Sequence, residues 1–437
     1  MTTSLDQASS LTSLDHTHLW HPFTQQQQWV EQEPLIIVSG KGAFLRDIHG
    51  RDYFDGNSSI WTNIHGHAHP RIMAAIAEQA ATLDHTSFLG TTHPKAILLA
   101  QRLVGLFPGQ PLSRVFFSDN GSTAIEAALK MTLQYWQLVG QPERHRLVSF
   151  TNAYHGDTAG AASLGSRNIF SERFDKIHFP VERVTDLAML QTLPHPETIA
   201  GIIIEPLIQG VAGMRLWPQG MLRDLRSFCD HHGILLLLDE VMTGFGRTGT
   251  MFACQQEGVV PDFLALAKGL TGGALPLAAT MTREKIYEAF LGTYEEQKTF
   301  YYGHSYTANP IACAAALASL EIFEEELVLE KLPEKIRHFS HALKKLESLP
   351  HVAEIRQCGL IAGIELMQDP LSGTPYPWQA HMGANICHAA RQHGLLTRPI
   401  LDTIVFMPPL CANDEEMDAA VKSLVCTLKK KLKICQQ

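Results

Sequence analysis

Between residues 114 and 268 the chain alternates short, nearly unbroken apolar runs with segments of helical periodicity. RVFFS (114–118) precedes a helical pattern from about Thr123 to Val139. RLVSF (146–150), AGIIIEP (200–206), ILLLLDE (234–240) and DFLALAK (262–268) follow. Leu, Ile and Val in runs without polar alternation indicate strands covered on both faces, as in a largely parallel sheet. The segment Met221–His232 before ILLLLDE supplies a crossover helix. Residues 67–325 are read as a large α/β domain. From Asn309 a long helix leads out of it. The remainder predicts a helix over Pro333–Leu349, strands near VAEIRQ and LIAGIEL, a helix over Trp378–His393, a strand pair around Thr397–Phe406 and a last helix over Asp414–Lys433. That is a smaller α+β domain over residues 326–437. Residues 1–66 are an N-terminal arm, irregular around His16, His18 and His21. The lysines of LKKKLK read as a solvated helix end that complements the helix dipole.

Composition narrows the partners. The 437 residues are 45% hydrophobic and 18% charged, an ordinary globular balance. A net charge of −9 argues against a binder of nucleic-acid backbones and leaves small molecules as partners. No apolar run is long enough to span a bilayer, and MTTSLDQASS lacks the basic-then-apolar order of a secretory signal. The cysteines at 229, 254, 313, 358, 387, 411, 426 and 435 form no C-x-x-C pair and read as reduced thiols. A cytoplasmic protein is expected.

The stretch LLLLDEVMTGFGRTG (235–249) ends in G-x-G-x-x-G, the spelling of a dinucleotide-binding loop. Its surroundings oppose that reading. Asp239 and Glu240 would face a pyrophosphate with like charge, and TMFACQQEG offers only about two turns of helix before Val259-Val260-Pro261. A buried carboxylate at a strand end needs a cationic partner, and a pyridinium nitrogen is one. Lys268 follows at the end of the next apolar run, so Asp239 and Lys268 can occupy the ends of neighbouring strands. A lysine there, with a lowered pKa, can form a Schiff base. In SDNGSTAIEAALKM a strand runs into Asn120-Gly121-Ser122 and a helix. Gly121 permits close backbone approach, Ser122 can cap, and the helix N-terminus offers N–H groups to a phosphate. NAYHGDT (152–158) places Tyr154 and His155 after another strand, where an aromatic ring can stack on a planar cofactor. Each feature alone has a plainer reading: a strand-end lysine, a capped helix, a core tyrosine. Together they suit pyridoxal phosphate.

On these residues the sequence resembles the class III (fold type I) aminotransferases over nearly the whole chain. LLLLDEVMTGFGRTG and PDFLALAKGLTGG together match the family's central signature, which is far more specific than the glycine spacing. Further stretches, LWHPFTQ (19–25), DGNSSIWTNIHGHAHP (55–70), ALKMTLQYW (128–136), NAYHGDT, GHSYTANP (303–310) and LTRPILDTIVFMPPL (396–410), resemble the branch that serves biotin synthesis. That branch aminates 8-amino-7-oxononanoate to 7,8-diaminononanoate.

The resemblance implies a large, mostly parallel-sheet cofactor domain and a small domain built from the C-terminal part and the N-terminal segment. It implies that Lys268 binds the cofactor covalently and moves the substrate proton, that Asp239 pairs with the pyridine nitrogen, that Gly121 and Ser122 bind the phosphate, and that Tyr154 stacks on the ring. His304 and Ser305 would reach the phosphate of a neighbouring subunit's cofactor, with Gly303 touching substrate, in a homodimer whose sites lie at the interface. Arg398 would pair with the substrate carboxylate, Arg247 would orient substrate, and Trp61 would wall its channel. Phe23 and Ile60 stand where relatives using S-adenosylmethionine carry Tyr and Trp. The amino donor is open between S-adenosylmethionine and L-lysine. Other readings are a class III enzyme for a diamine or ω-amino acid, a nicotinamide dehydrogenase, and an idle cofactor-binding regulator. His65, His67 and His69 alternate in HGHAHP, but no nearby Cys or carboxylate completes a ligand set, and no metal is expected.

Overall fold

The structure, a computed structural model, describes residues 5–167, 169 and 171–434. A seven-stranded sheet organises its centre, in the order Arg114–Ser118, Ala278–Thr282, Phe263–Leu266, Leu235–Asp239, Ile199–Ile204, Arg146–Phe150 and Glu182–Val184. Ala278–Thr282 runs antiparallel to both its neighbours, and the other pairings are parallel. The runs Ile199–Ile204, Leu235–Asp239 and Phe263–Leu266 are buried at every position, because helices cover both faces. Ala278–Thr282 (AATMT) is buried throughout as well, yet its Ala and Thr carry too little apolar weight to mark a strand from sequence.

Met221–His232 is a helix over the expected residues and ends on Gly233 in the left-handed region. The helix predicted from Thr123 starts at Gly121 and runs to Leu138. Its cap is Asn120, not Ser122: Asn120 Oδ1 accepts the Thr123 N–H at 3.1 Å while Thr123 Oγ1 accepts the Asn120 N–H at 3.0 Å. The alanine-rich helix Pro310–Glu325 is buried along most of its length and packs on the helices Pro70–Thr82 and Pro94–Gly105.

A second, antiparallel sheet joins Val352–Cys358, Ile361–Leu366, Thr403–Phe406 and Pro399–Ile400. A third links the two ends of the chain: Ile37–Lys41, Phe44–Asp47 and Asp52–Asp55 form a meander, and Leu395–Leu396 adds to Asp52–Asp55 in parallel.

Three expectations are corrected. The arm around His16 and His18 is helical over Leu5–His18, anchored where Asp15 accepts Trp29 Nε1–H at 2.7 Å and His21 Nε2–H at 3.0 Å. The helix predicted from Pro333 begins at Val328, because Leu332 is buried in the core and draws an extra turn into place ahead of the proline. The helix predicted over Trp378–His393 is broken at His381 (φ 44°) into a turn Trp378–Ala380, a helix Met382–Ala390 and a turn Arg391–His393. The break lets Asp402 accept the Gly383 N–H at 2.8 Å, capping the new helix from a distant loop.

Candidate active site

The strands Arg114–Ser118, Arg146–Phe150, Ile199–Ile204, Leu235–Asp239 and Phe263–Leu266 point their C-terminal ends at one cavity of about 730 Å³, the usual place for a ligand in an open parallel sheet. Asp239 pairs with Ala265 in the ladder, and Lys268 leaves the neighbouring strand three residues later, so both line the cavity. Lys268 adopts φ 45°, a left-handed conformation unusual for a side-chain-bearing residue and of the kind held at functional sites. Its Nζ lies 4.8 Å from the centroid of the Trp61 ring. Burial holds the Lys268 amine below its ordinary pKa, opposed by the nearby Asp239 and Glu205 carboxylates.

Asp239 is fixed from two sides. His155 Nδ1 donates to its Oδ2 at 2.8 Å, and the Val241 N–H donates to its Oδ1 at 3.1 Å. Trp61 is buried with φ 66° and donates from Nε1 to Asn57 Oδ1 at 3.0 Å. Asn120, Gly121 and Ser122 bring the N-terminus of the helix Gly121–Leu138 to the same cavity. At Gly121 a Cβ would stand 2.7 Å from Val241 Cγ1, so only glycine lets the helix start this close behind Asp239. Tyr154 lines the cavity too, and its hydroxyl is raised above its usual pKa by burial and by the Asp157, Asp239 and Glu205 carboxylates.

Other expected residues lie elsewhere. Arg247 is wholly buried outside the cavity lining, donating from Nη1 to Pro408 O and from Nη2 to Asn63 O, each at 2.6 Å. Burial lowers it to about pKa 9. It ties the Pro408 and Asn63 backbone together. Arg398 is exposed and outside the lining, as are Gly303 and Ser305. His304 Nδ1 lies 3.8 Å from Asp119 Oδ2. Phe23 lines a second cavity of about 410 Å³ that shares Tyr154 and Asp157 with the first. Gly244, Gly246 and Gly249 turn away from both, and only the short turn Ala253–Glu257 follows them.

Residues 25–428 match the family model of the class III aminotransferases. The chain belongs to that family. Among its relatives is the adenosylmethionine-8-amino-7-oxononanoate aminotransferase of Geobacter sulfurreducens, 44% identical over 95% of this chain and 96% of the relative. The solved structure of the enzyme of that name from Methanocaldococcus jannaschii superposes with a TM-score of 0.94 at 39% identity, covering 97% and 99% of the two chains. An amine transaminase from an uncultivated Pseudomonas species, solved with pyridoxal phosphate (PLP) bound, gives a TM-score of 0.89 at 33% identity over 95% and 99%.

The fold is therefore the fold type I aminotransferase architecture, and the cofactor of this class III aminotransferase is PLP. The residues present fit it. The cavity offers the Lys268 amine, the Asp239 carboxylate oriented by two donors, and a helix N-terminus with backbone N–H groups. A dehydrogenase site at residues 244–249 is set aside.

Sequence reasoning missed the parts of His155 and Glu205. His155 was visible in NAYHGDT only as a neighbour of Tyr154. Glu205, the carboxylate closing AGIIIEP, carried the same strand-end signal that drew attention to Asp239. Among the described residues no group of His, Cys, Asp and Glu is arranged to hold a metal. His65 Nε2 meets Ser319 Oγ at 3.0 Å, His67 Nε2 meets Asp55 at 2.9 Å and His69 Nε2 meets Glu326 at 3.3 Å, each on a different partner. Seven cysteines are free thiols, and Cys435 lies outside the described residues.

Proposed function

We propose that this PLP-dependent transaminase is a 7,8-diaminopelargonate synthase, moving an amino group from S-adenosylmethionine or L-lysine to 8-amino-7-oxononanoate in biotin synthesis. The observation that carries the site assignment is the meeting of Lys268, Asp239 and the Gly121 helix N-terminus in one cavity. The acceptor assignment draws support from the relatives named for that reaction, which match nearly end to end.

Bound PLP supplies an electron sink and carries the amino group between the two half-reactions. Lys268 Nζ would anchor the cofactor and, as the neutral amine that its lowered pKa favours, would take a proton from substrate Cα and return it. Asp239, held by His155 and the Val241 N–H, presents its charge to the pyridine nitrogen. Gly121 and Ser122 offer backbone donors to the phosphate, while Tyr154 and Trp61 enclose the ring and the substrate. In this reading exposed Gly303 and Ser305 and half-buried His304 complete the site of a second subunit, and exposed Arg398 meets the substrate carboxylate at that interface. The division into residues 1–66, 67–325 and 326–437 belongs to the same reading, supported by the pairing of Asp52–Asp55 with Leu395–Leu396. So does a cytoplasmic location; no described helix is long and apolar enough to cross a membrane.

The purified protein, given 8-amino-7-oxononanoate with S-adenosylmethionine or with L-lysine, is expected to form 7,8-diaminononanoate with ping-pong kinetics in one of the two mixtures. Amino transfer between an amine or diamine and a simple keto acid, with neither mixture yielding product, would establish the second reading. That reading, another class III ω-aminotransferase, rests on the likeness to the amine transaminase.

A further inference from the structure

Glu205 ends the strand Ile199–Ile204 at the cavity, buried at 6% exposure, and has no part in the steps above. Its carboxylate joins two pieces of the cavity lining. Oε1 accepts the backbone N–H of Tyr154 at 3.2 Å, and Oε2 accepts that of Gly210 at 2.8 Å. Tyr154 lines the cavity itself. Gly210 lies under another part of the lining: a Cβ there would stand 2.6 Å from Met242 Sδ and 3.2 Å from Trp61 Cζ3. The Trp61 ring in turn lies against Lys268 Nζ. Glu205's own carbonyl accepts Trp217 Nε1–H at 3.0 Å, so the brace is fixed at its root.

A carboxylate is a costly choice for this place. Burial, with Asp239 adding to it, pushes Glu205 up to about 7, against the opposing His155 charge and the two N–H donors. What a carboxylate offers is two acceptor oxygens for two convergent donors. A glutamine of the same shape has one oxygen, and its NH₂ would face an N–H.

We propose that Glu205 is a positioning residue of the aminotransferase site, whose two oxygens brace the Tyr154 backbone against the Gly210 turn and so set Tyr154 relative to Trp61 and Lys268. This rests on the assignment of Tyr154 and Lys268 to the reacting site. Glu205 acts through Tyr154 and touches no reacting atom.

Amide hydrogen exchange on the wild-type holoenzyme comes first. The Tyr154 and Gly210 amides are expected to exchange as slowly as strand amides; exchange at the rate of an open loop overturns the proposal. In Glu205→Ala both amides are expected to exchange about tenfold faster or more, with Val352–Cys358 unchanged. Glu205→Gln, which keeps the size and one acceptor, falls between. Turnover per PLP-loaded subunit is expected to drop about tenfold or more in Glu205→Ala, mostly in kcat, and to recover partly in Glu205→Gln. In a Tyr154→Ala background the same Glu205→Ala change is expected to cost less than about threefold, because no ring remains to be placed. Independent, multiplying effects overturn the proposal, as does faster exchange spread evenly over the chain. Amide exchange needs no substrate, so a protein that aminates some other acceptor fails the preceding test and still passes this one.

Discussion

The two sides of one strand end make opposite uses of the same charges. On the cavity side stand Asp239 and Lys268; behind them, one residue and one loop further on, stand Glu240 and Arg247. Each side holds a carboxylate and a cation, and the difference lies in what each charge meets. Glu240 is wholly buried and saturated: it accepts the Ala253 N–H at 2.7 Å, the Cys254 N–H at 2.8 Å and Thr243 Oγ1–H at 3.1 Å. Arg247 is committed to two backbone carbonyls. Those charges are used up in holding the G-F-G-R-T-G loop. Asp239 keeps an open side toward the cavity, and Lys268 lies over an aromatic face. Alternation along a strand sends successive side chains to opposite faces, so adjacent acids have different fates. The contrast between the two sides lies in unspent bonding capacity, since both sides are buried.

The largest test is Lys268→Ala. Turnover is expected to fall by about 10³-fold or more, since in the proposed reading Lys268 is both the anchoring amine and the proton carrier. Comparable turnover in that variant would end the assignment of the cavity side. Asp239→Asn and Glu240→Gln then set the two carboxylates against each other. Asp239→Asn is expected to cost about 10²–10³ in kcat with little change in thermal midpoint. Glu240→Gln is expected to cost about 1–3 kcal/mol of stability, by denaturant unfolding, with kcat per folded subunit nearly kept. A Glu240 variant that unfolds normally and loses kcat would erase the contrast.

Arg247→Met leaves two buried carbonyls without a donor, and unfolding free energy is expected to fall by about 2–3 kcal/mol. A raised KM at unchanged stability would instead support Arg247 as a substrate contact. The smallest effect concerns His65, behind the cavity. Burial, with the His69 charge, lowers it from 6.5 to about 3. A histidine depressed in the folded state contributes stability that is full above its unfolded pKa and is lost as pH falls toward the folded one. Between pH 6.5 and 5 that amounts to about 2 kcal/mol at about 1.4 kcal/mol per unit. Thermal midpoints across that range are expected to fall less in His65→Asn, which takes up no proton.

The parallel core was legible because strands covered on both faces must be apolar throughout, and ILLLLDE and AGIIIEP are. Lys268, Asp239, Gly121 and Tyr154 were legible because each sits where such a strand ends, the end at which open sheets place ligands. The antiparallel strand Ala278–Thr282 was not, because it holds its place through partners on both edges and not through side-chain apolarity. The break at His381 was not, because the Asp402 carboxylate that caps the next helix comes from another loop.

By itself, then, the sequence determined the layered α/β core, the strand ends that gather at the cavity and the family. Local pattern suffices there, since burial and chain reversal act within a few residues. Only the tertiary structure decided that Arg247 is a buried tie, that His155 orients Asp239, that Glu205 joins Tyr154 to Gly210, and that the alternating histidines go to separate partners. Each of these depends on which donor meets which acceptor across long stretches of chain, and hydrogen bonds of that reach leave no periodicity behind.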